Sequence, residues 1–288
     1  MTRTAAEPRS VAGATSTLLV TSRPRFWLYL AGPALVGIAF GATTLGDLAS
    51  PVALALVAYF LLPANAFLYG INDVFDAAAD RLNPRKAERE ARFDGEPVVV
   101  AGTVLGGALG LLLAAALGGL AGAAVLGFLV LGAAYSVPPF RLKGRPPLDS
   151  LSNGLYVLPG VAAYAALAGA APPTLAILGG WLWAMGMHTF SAIPDVEADR
   201  RAGIQTTATL LGPRSAMGYV AGCWLLAATT FAAVDGRLGV LMLGYPLLLV
   251  GVSRSSVAVD RAYWWFPAVN TVVGATLTVA GLWVIAGG

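Results

Sequence analysis

The chain has 288 residues, of which 57% are hydrophobic and 11% charged, and its formal net charge is +3. Because soluble domains are typically about 25% charged, this composition excludes an ordinary water-soluble fold. The basic residues are spread over several short segments instead of one stripe, which argues against a nucleic-acid partner.

The N-terminal segment is polar, and long apolar stretches follow it. We expect residues 1–22 to form a disordered cytosolic arm and residues 23–288 to form one transmembrane domain. A helix needs about 20 mostly apolar residues to cross a bilayer, and two of the charge-free stretches are long enough for two helices each. The sequence therefore predicts an all-α polytopic membrane protein with nine transmembrane helices. The charge-free stretches are 26–46, 48–72, 97–140, 150–194, 215–234, 238–253 and 262–288.

The distribution of basic residues predicts the orientation of these helices. With nine spans, all of the 18 Lys and Arg residues except Arg237 fall on one side of the membrane. Lys and Arg are enriched in cytoplasmic loops, so this side is expected to be cytoplasmic. The sequence thus predicts an integral protein of the cell membrane, with its N-terminus and active-site loops inside and its C-terminus outside.

A cluster of polar side chains follows the second predicted span. Asn72, Asp73, Asp76 and Asp80 are spaced so that all four lie near one face of a helix. Like charges at this spacing repel one another, so a helix that stacks them needs a compensating partner. One interpretation is a solvated loop in which the acids balance nearby arginines, and the other is a binding site for a cation.

A second acidic cluster follows the sixth predicted span on the same side. Asp195 and Asp199 again stand at positions i and i+4. Carboxylates at membrane depth are costly and tend to face a functional cavity. Ligand sets made of oxygen alone suit a hard cation, and Mg²⁺ is typically held by one or two carboxylates together with substrate phosphates. Two such clusters facing each other would hold a diphosphate through Mg²⁺.

Cations follow the fourth predicted span on this side, after two prolines that end the helix. Arg141 and Lys143 are placed to neutralise phosphate oxygens, or alternatively they serve as an ordinary cytoplasmic anchor. Asn153 lies just inside the fifth span near the same face and is a further candidate for substrate binding. His188, the only histidine, is interpreted either as a proton acceptor or as a hydrogen-bonded packing residue.

Three motifs occur along the chain: N-D-x-x-D-x-x-x-D at 72–80, Y-S-x-P-P-x-R-L-K at 135–143 and D-x-E-x-D at 195–199. Together they resemble the signature motifs of the UbiA-type intramembrane prenyltransferases. The resemblance implies a nine-helix bundle around a lipid-accessible central cavity, in which an isoprenyl diphosphate binds through Mg²⁺.

The resemblance also implies roles for individual residues. The metal ligands would be Asn72, Asp76, Asp80, Asp195 and Asp199. Arg141 and Lys143 would contact the diphosphate, Asp73 and Asn153 would be further substrate-binding residues, and Tyr135 would line the cavity. The residues expected to carry catalysis are Asp76, Asp80, Asp195, Asp199 and Tyr135. Ala198 stands where many members of the family have glycine, which leaves both neighbouring carboxylates in place.

Local sequence similarity points to a subfamily. Segments 22–29, 83–86 and 188–195 look most like the lycopene elongases. Those enzymes add five-carbon units from dimethylallyl diphosphate (DMAPP) to the ends of lycopene, giving C45 and C50 carotenoids, and some also hydrate the product.

Other functions stay open at this point. Within the same family the lipophilic acceptor could be a quinone precursor, haem, chlorophyllide or a glycerol-phosphate lipid. A non-catalytic subunit is disfavoured by the intact aspartate motifs. An alternative of another class is a cation-coupled transporter, since acidic residues at helix ends also bind cations. Such a transporter is expected to have ionisable groups near the bilayer centre, whereas no Asp or Glu stands in the middle of a predicted span.

Overall fold

Every regular element in the described residues is helical, which confirms the predicted all-α class. The structure, a computed structural model, describes residues 11–80, 93–201 and 203–287. The first half of the chain forms α1 (Val11–Thr21), α2 (Trp27–Gly41), α3 (Pro51–Leu61), α4 (Pro63–Asp80), α5 (Pro97–Leu117) and α6 (Gly119–Ser136). The second half forms α7 (Leu148–Leu151), α8 (Leu158–Ala168), α9 (Thr174–Ala192), α10 (Val196–Arg201), α11 (Thr207–Val234), α12 (Gly236–Met242), α13 (Gly244–Arg254) and α14 (Val259–Ile285).

Seven helical segments in the described residues are long and apolar enough to cross a membrane. They are Pro51–Ala77, Pro97–Leu117, Gly119–Ser136, Leu148–Ala168, Thr207–Val234, Gly236–Arg254 and Val259–Ile285. Two further helices fall where spans were predicted: α2, which has only 15 residues, and α9, which has 19 residues and carries His188. The prediction of a polytopic integral membrane protein is confirmed, whereas the count of nine spans stays a prediction.

The N-terminal segment differs from the sequence-based expectation. Val11–Thr21 forms helix α1, where a disordered arm was predicted over residues 1–22. The side chain of Leu18 packs directly on Gly102 of α5. A methyl group added to this glycine would lie only 2.4 Å from a methyl carbon of Leu18. Through this apolar contact, α1 packs against α5 of the bundle. Residues 1–10 and 81–92 lie outside the described residues, and with them lies segment 83–86 of the subfamily resemblance.

Small residues bring the helices of the bundle close together. An added methyl group on Gly37 of α2 would lie 2.2 Å from the carbonyl oxygen of Gly160 of α8, and one on Gly186 of α9 would lie 2.5 Å from the indole nitrogen of Trp224 of α11. Backbones can approach this closely only where a side chain is missing.

Two apolar cores result from this packing. The first is built mainly from α2, α3, α4, α6 and α8 and includes Leu68 and Leu155. The second is built mainly from α9, α11, α13 and α14 and includes Met187. Leu68, Leu155 and Met187 all line the same cavity, so this cavity lies where the two cores meet.

Candidate active site

A cavity of about 280 Å³ lies between the two cores, and we call it the polar chamber. Its lining includes five of the residues singled out in the sequence, which are Asn72, Tyr135, Asn153, His188 and Asp195. Asn72 belongs to the first acidic motif on α4, and Asp195 belongs to the second acidic motif after α9. Two motifs that are far apart in the sequence therefore contribute oxygen atoms to one cavity.

Lysine and arginine side chains neutralise the first acidic motif. The Nζ atom of Lys143 donates hydrogen bonds to Oδ1 of Asn72, at 3.2 Å, and to Oδ1 of Asp76. An Nη atom of Arg141 lies 3.4 Å from the same Asp76 oxygen. Asn72 and Asp76 are one helical turn apart, which lets a single ammonium group reach both. Asp76 is buried, so its charge needs these cations.

The turn after α6 places Lys143 for this contact. Arg141 adopts a left-handed backbone conformation with φ of 40°, and the short 3₁₀ turn Leu142–Gly144 follows it. A non-glycine residue in this region costs roughly 1–2 kcal/mol, so the surrounding contacts must hold it there. The sequence predicts that these cations project back towards the membrane interface. In the structure, Lys143 contacts Asn72 and Asp76 of the first acidic motif, and Arg141 contacts Asp76.

Asp73 has a different environment from its neighbours on α4. Its Oδ1 atom accepts a hydrogen bond of 2.8 Å from Arg23, and the Arg23 guanidinium also lies 4.8 Å from the ring centre of Tyr69. Arg23 and Tyr69 line the polar chamber, whereas Asp73 lines a separate pocket between α1 and α5. Asp73 therefore holds Arg23 at the chamber wall. Sequence reasoning did not single out Arg23 as a site residue, although its position directly before the first apolar stretch was a usable signal.

The remaining acidic residues are placed less centrally. Asp195 ends a 3₁₀ turn and is half-buried in the chamber wall, and Asp199 lies one turn further on, in α10, also half-buried. Among the described residues, the chamber lining includes Asp195 but not Asp199 or Asp76. Asp80 is the last residue of α4. Only its backbone belongs to the described part of the chain, so its predicted metal role stays a prediction.

The donor atoms suit a magnesium ion that shares its ligands with a substrate. Among the described residues, no three Asp, Glu, His or Cys side chains are close enough to form a complete protein cage for a metal. Mg²⁺ does not require one, because it usually takes one or two carboxylates and completes its shell with phosphate and water oxygens. Asn72 and Asp195 offer oxygen atoms of this kind in the chamber wall, and Asp76 lies next to Asn72, since both contact the Lys143 ammonium group.

A buried acid that the sequence analysis missed organises another part of the chamber wall. The carboxylate of Asp149 accepts a 2.7 Å hydrogen bond from the backbone N–H of Thr207, at the start of α11, and lies 3.8 Å from Nε2 of His188. Its backbone oxygen accepts a 2.6 Å hydrogen bond from Asn153. The His188 ring in turn lies edge-on to Tyr135, with ring centres 5.9 Å apart. Asp149 therefore orients several lining residues. An acid directly before a long charge-free stretch was the signal that could have identified it.

A second cavity of about 340 Å³ adjoins the first, and we call it the apolar chamber. Its walls come from α2, α8, α9 and α11 to α14 and are mostly aliphatic, with glycines such as Gly32 and Gly274. Four residues line both chambers: Tyr29, Tyr156, Trp183 and Asn270. The arrangement can hold an anionic head group at one end and a long hydrocarbon at the other.

Comparison with known proteins identifies relatives of the whole chain. A family model described as the UbiA prenyltransferase family matches residues 30–266. The chain is 60% identical to a lycopene elongase/hydratase of Halobacterium salinarum, over 92% of this chain and 97% of that protein. It is 56% identical to a lycopene elongase/hydratase of Haloferax volcanii, over 94% of this chain and 90% of that protein.

A solved structure supports the fold. A UbiA homologue from Archaeoglobus fulgidus bound to DMAPP and Mg²⁺ has a TM-score of 0.73 against this chain, with 24% sequence identity, and covers 93% of this chain and 99% of that one. At this level of identity the likeness is one of fold.

Proposed function

The chain belongs to the UbiA prenyltransferase family, and we propose that this membrane prenyltransferase transfers dimethylallyl groups from DMAPP to the ends of lycopene. The relatives named lycopene elongase/hydratase carry this proposal, because they are 56–60% identical over nearly the full length of both chains. The products would be C45 and C50 carotenoids, with water added to the acceptor carbon beside the new carbon–carbon bond.

The two chambers match the two substrates of this reaction. The polar chamber, with Arg23 and Asp195 in its wall, suits the diphosphate of the donor. The apolar chamber suits one end of a polyene, which is a long hydrocarbon with no hydrogen-bonding groups. The shared lining residues stand where the donor carbon and the acceptor double bond would meet. This junction between a charged and an apolar cavity is the geometric support for the proposal.

Lys143, Arg141 and Arg23 would bind the diphosphate and stabilise the negative charge that develops on it. Lys143 and Arg141 reach the site from the turn after α6, while Arg23 reaches it from the start of α2. In the structure Lys143 and Arg141 contact Asp76, and Arg23 contacts Asp73. We propose that they shift part of their contacts to the phosphate oxygens when the donor binds.

The first acidic motif and Asp195 would hold Mg²⁺ against the same diphosphate, together with Asp80 and Asp199 as the family resemblance implies. When bound, Mg²⁺ supplies positive charge that stabilises the leaving diphosphate. Binding and orienting the donor would be the work of Asn72, Asp76 and Asp195.

Aromatic side chains would protect the carbocation that forms when diphosphate leaves. Tyr69, Tyr156 and Trp183 line the polar chamber, and Tyr156 and Trp183 reach the apolar chamber as well. Aromatic faces attract a cation, and apolar walls keep bulk water away from it. Carbon–carbon bond formation would take place at this boundary.

Expression in lycopene-producing cells tests the proposal directly. We expect pigments heavier than lycopene by one and two five-carbon units, some of them with added water. Unchanged lycopene, with the protein inserted in the membrane and DMAPP supplied, would refute lycopene as the acceptor. The same membranes would then be assayed with a quinone precursor or a glycerol-phosphate lipid to identify the acceptor.

A further inference from the structure

The junction of the two chambers contains polar atoms that the protein leaves unpaired. Three of the four residues that line both chambers are Tyr29, Trp183 and Asn270. The Tyr29 hydroxyl, the Trp183 indole nitrogen and the Asn270 amide nitrogen are buried and have no hydrogen-bond partner within the described part of the chain. Buried polar groups are almost always hydrogen-bonded, so three unpaired ones at a single place call for a ligand.

The contacts of Asn270 define which kind of atom it presents. Its Oδ1 atom accepts a 2.8 Å hydrogen bond from the hydroxyl of Tyr245, a fully buried side chain. This contact leaves the Nδ2 amide as an unused donor. The Tyr29 hydroxyl lies near the Asn270 amide, and the Trp183 indole nitrogen lies near the Tyr245 hydroxyl, but neither pair has the distance and angle of a normal hydrogen bond. The ring of Trp183 lies edge-on to Tyr245, with centres 6.0 Å apart. The junction therefore combines two donors with a hydroxyl that can either donate or accept.

Neither substrate satisfies these groups. A polyene has no hydrogen-bonding atoms, and the diphosphate belongs with the cations around Lys143 and Arg23. A water molecule is small enough for the junction, and it can bind both donors and hydroxyls. We propose that Tyr29, Trp183 and Asn270 hold a single water molecule at the chamber junction, and that this water adds to the carbocation during hydration. The inference rests on the proposed function, because it concerns the step that follows prenyl transfer.

The chemistry of this step balances. The allylic C–O bond of DMAPP breaks, and its electron pair leaves with the diphosphate. The terminal double bond of the acceptor supplies the electron pair of the new C–C bond, which leaves a tertiary cation on the adjoining carbon. The oxygen of the held water forms a C–O bond to that carbon, and one of its protons passes to the released diphosphate. The overall reaction joins acceptor, donor and water into a hydroxylated product and hydrogen diphosphate.

Loss of a proton from the same cation competes with water addition and gives an alkene. The ratio of hydroxylated product to alkene therefore reports whether water is held beside the cation. It does so independently of how fast the enzyme turns over. Residues that position the water should change this ratio, whereas residues that only support the fold should not.

The experiment uses membranes that contain the full-length enzyme, with lycopene, DMAPP and Mg²⁺ in water enriched in oxygen-18. We expect the wild-type enzyme to incorporate oxygen-18 into the elongated product. Asn270→Leu and Tyr29→Phe should each lower the ratio of hydroxylated product to alkene by about tenfold, as the loss of one hydrogen bond to the water would do. Tyr59→Phe is the matched control, because the Tyr59 hydroxyl is also buried and unpaired within the described residues but lines neither chamber.

The possible outcomes separate this inference from the function beneath it. A wild-type enzyme that elongates lycopene without incorporating oxygen-18 overturns the inference and leaves the elongase intact. A wild-type enzyme that does not elongate lycopene refutes the proposed function itself. Unchanged product ratios in the variants also overturn the inference. Should Asn270→Leu fail to accumulate in the membrane, Tyr29→Phe decides the matter, since it keeps the aromatic ring and removes only the hydroxyl.

Discussion

Lys143 binds Asp76, a residue 67 positions earlier in the chain, and so joins the turn after α6 to the first acidic motif. The same ammonium group also contacts Asn72. A buried carboxylate needs a cationic partner of this kind, and the same ammonium group is able to bind another anion such as a phosphate.

Lys143→Gln should weaken donor binding. Its ammonium group would no longer neutralise the diphosphate, and Asp76 would be left with Arg141 as its cationic partner. Because a charged hydrogen bond contributes about 1.5–3 kcal/mol, we expect the KM for DMAPP to rise by roughly tenfold to a hundredfold. Arg145→Gln is the control, since Arg145 lies in the same turn but binds the backbone oxygen of Pro139. An unchanged KM in Lys143→Gln would remove Lys143 from the donor site.

Asp195→Asn should abolish most turnover while leaving the protein folded. The substitution keeps the shape of the side chain and removes the charge that would hold Mg²⁺ at the chamber. Losing one preorganised electrostatic contact typically costs about 10²–10³ in kcat, and we also expect a higher Mg²⁺ requirement. Glu197→Gln serves as the control, because Glu197 is two residues away and its side chain is 72% exposed. Equal Mg²⁺ dependence in the two variants would contradict a metal role for Asp195.

Asp149→Ala should destabilise the fold. Asp149 is only 1% exposed and accepts two hydrogen bonds from Thr207. Removing a buried, hydrogen-bonded acid leaves its partners unsatisfied, which costs about 3–5 kcal/mol. Thermal unfolding in detergent measures this loss. Asp235→Ala, which removes an exposed helix cap from α12, should cost only about 1 kcal/mol, and similar losses in both variants would argue against the organising role of Asp149.

Gly32→Leu and Gly274→Leu should block the apolar chamber. Both glycines line it, and an added side chain at either position would meet no atom within 4 Å as it leaves the backbone. We expect the helices to form normally, the KM for lycopene to rise and DMAPP binding to stay unchanged. Gly222→Leu is the control, because Gly222 also has open space around it but lines neither chamber. Normal elongation by both chamber variants would show that the acceptor binds elsewhere.

The orientation predicted from the basic residues can be tested with fusions to the C-terminus. An odd number of spans with a cytoplasmic N-terminus places the C-terminus outside the membrane. A reporter that is active only outside the cytoplasm should therefore work when fused after Gly288, and one that is active only inside should not. The opposite pattern would refute either the nine-span count or the predicted direction.

The sequence predicts the regular parts of the molecule well. Helical class and membrane insertion follow from the long apolar stretches, and family membership from three motifs, and all three predictions are confirmed. The contact of Asn72 and Asp76 with Lys143 also agrees with the motifs, because helical spacing places the first two on one face. The assignment of these residues to metal and diphosphate stays a prediction.

What the sequence does not reveal depends on tertiary contacts. In the sequence, Asp149 is a single acidic residue in a short polar segment, and nothing indicates its partners. The fold places it in contact with Thr207 and His188. From the sequence alone, Arg23 is interpreted as a membrane anchor. In the structure, contacts with Asp73 and Tyr69 hold it at the chamber wall. The apolar chamber is likewise invisible in the sequence, since residues that line it and residues that face lipid are both aliphatic or small.

Gly37 and Gly160 touch each other through their backbones along one wall of the apolar chamber. Main-chain atoms thus form this wall, and any larger residue there would force two helices apart. Laboratory evolution aimed at shorter or bulkier acceptors should leave that pair alone. Productive diversity would come from positions such as Gly32 and Gly274, where a new side chain reshapes the apolar chamber without moving the helices that form it.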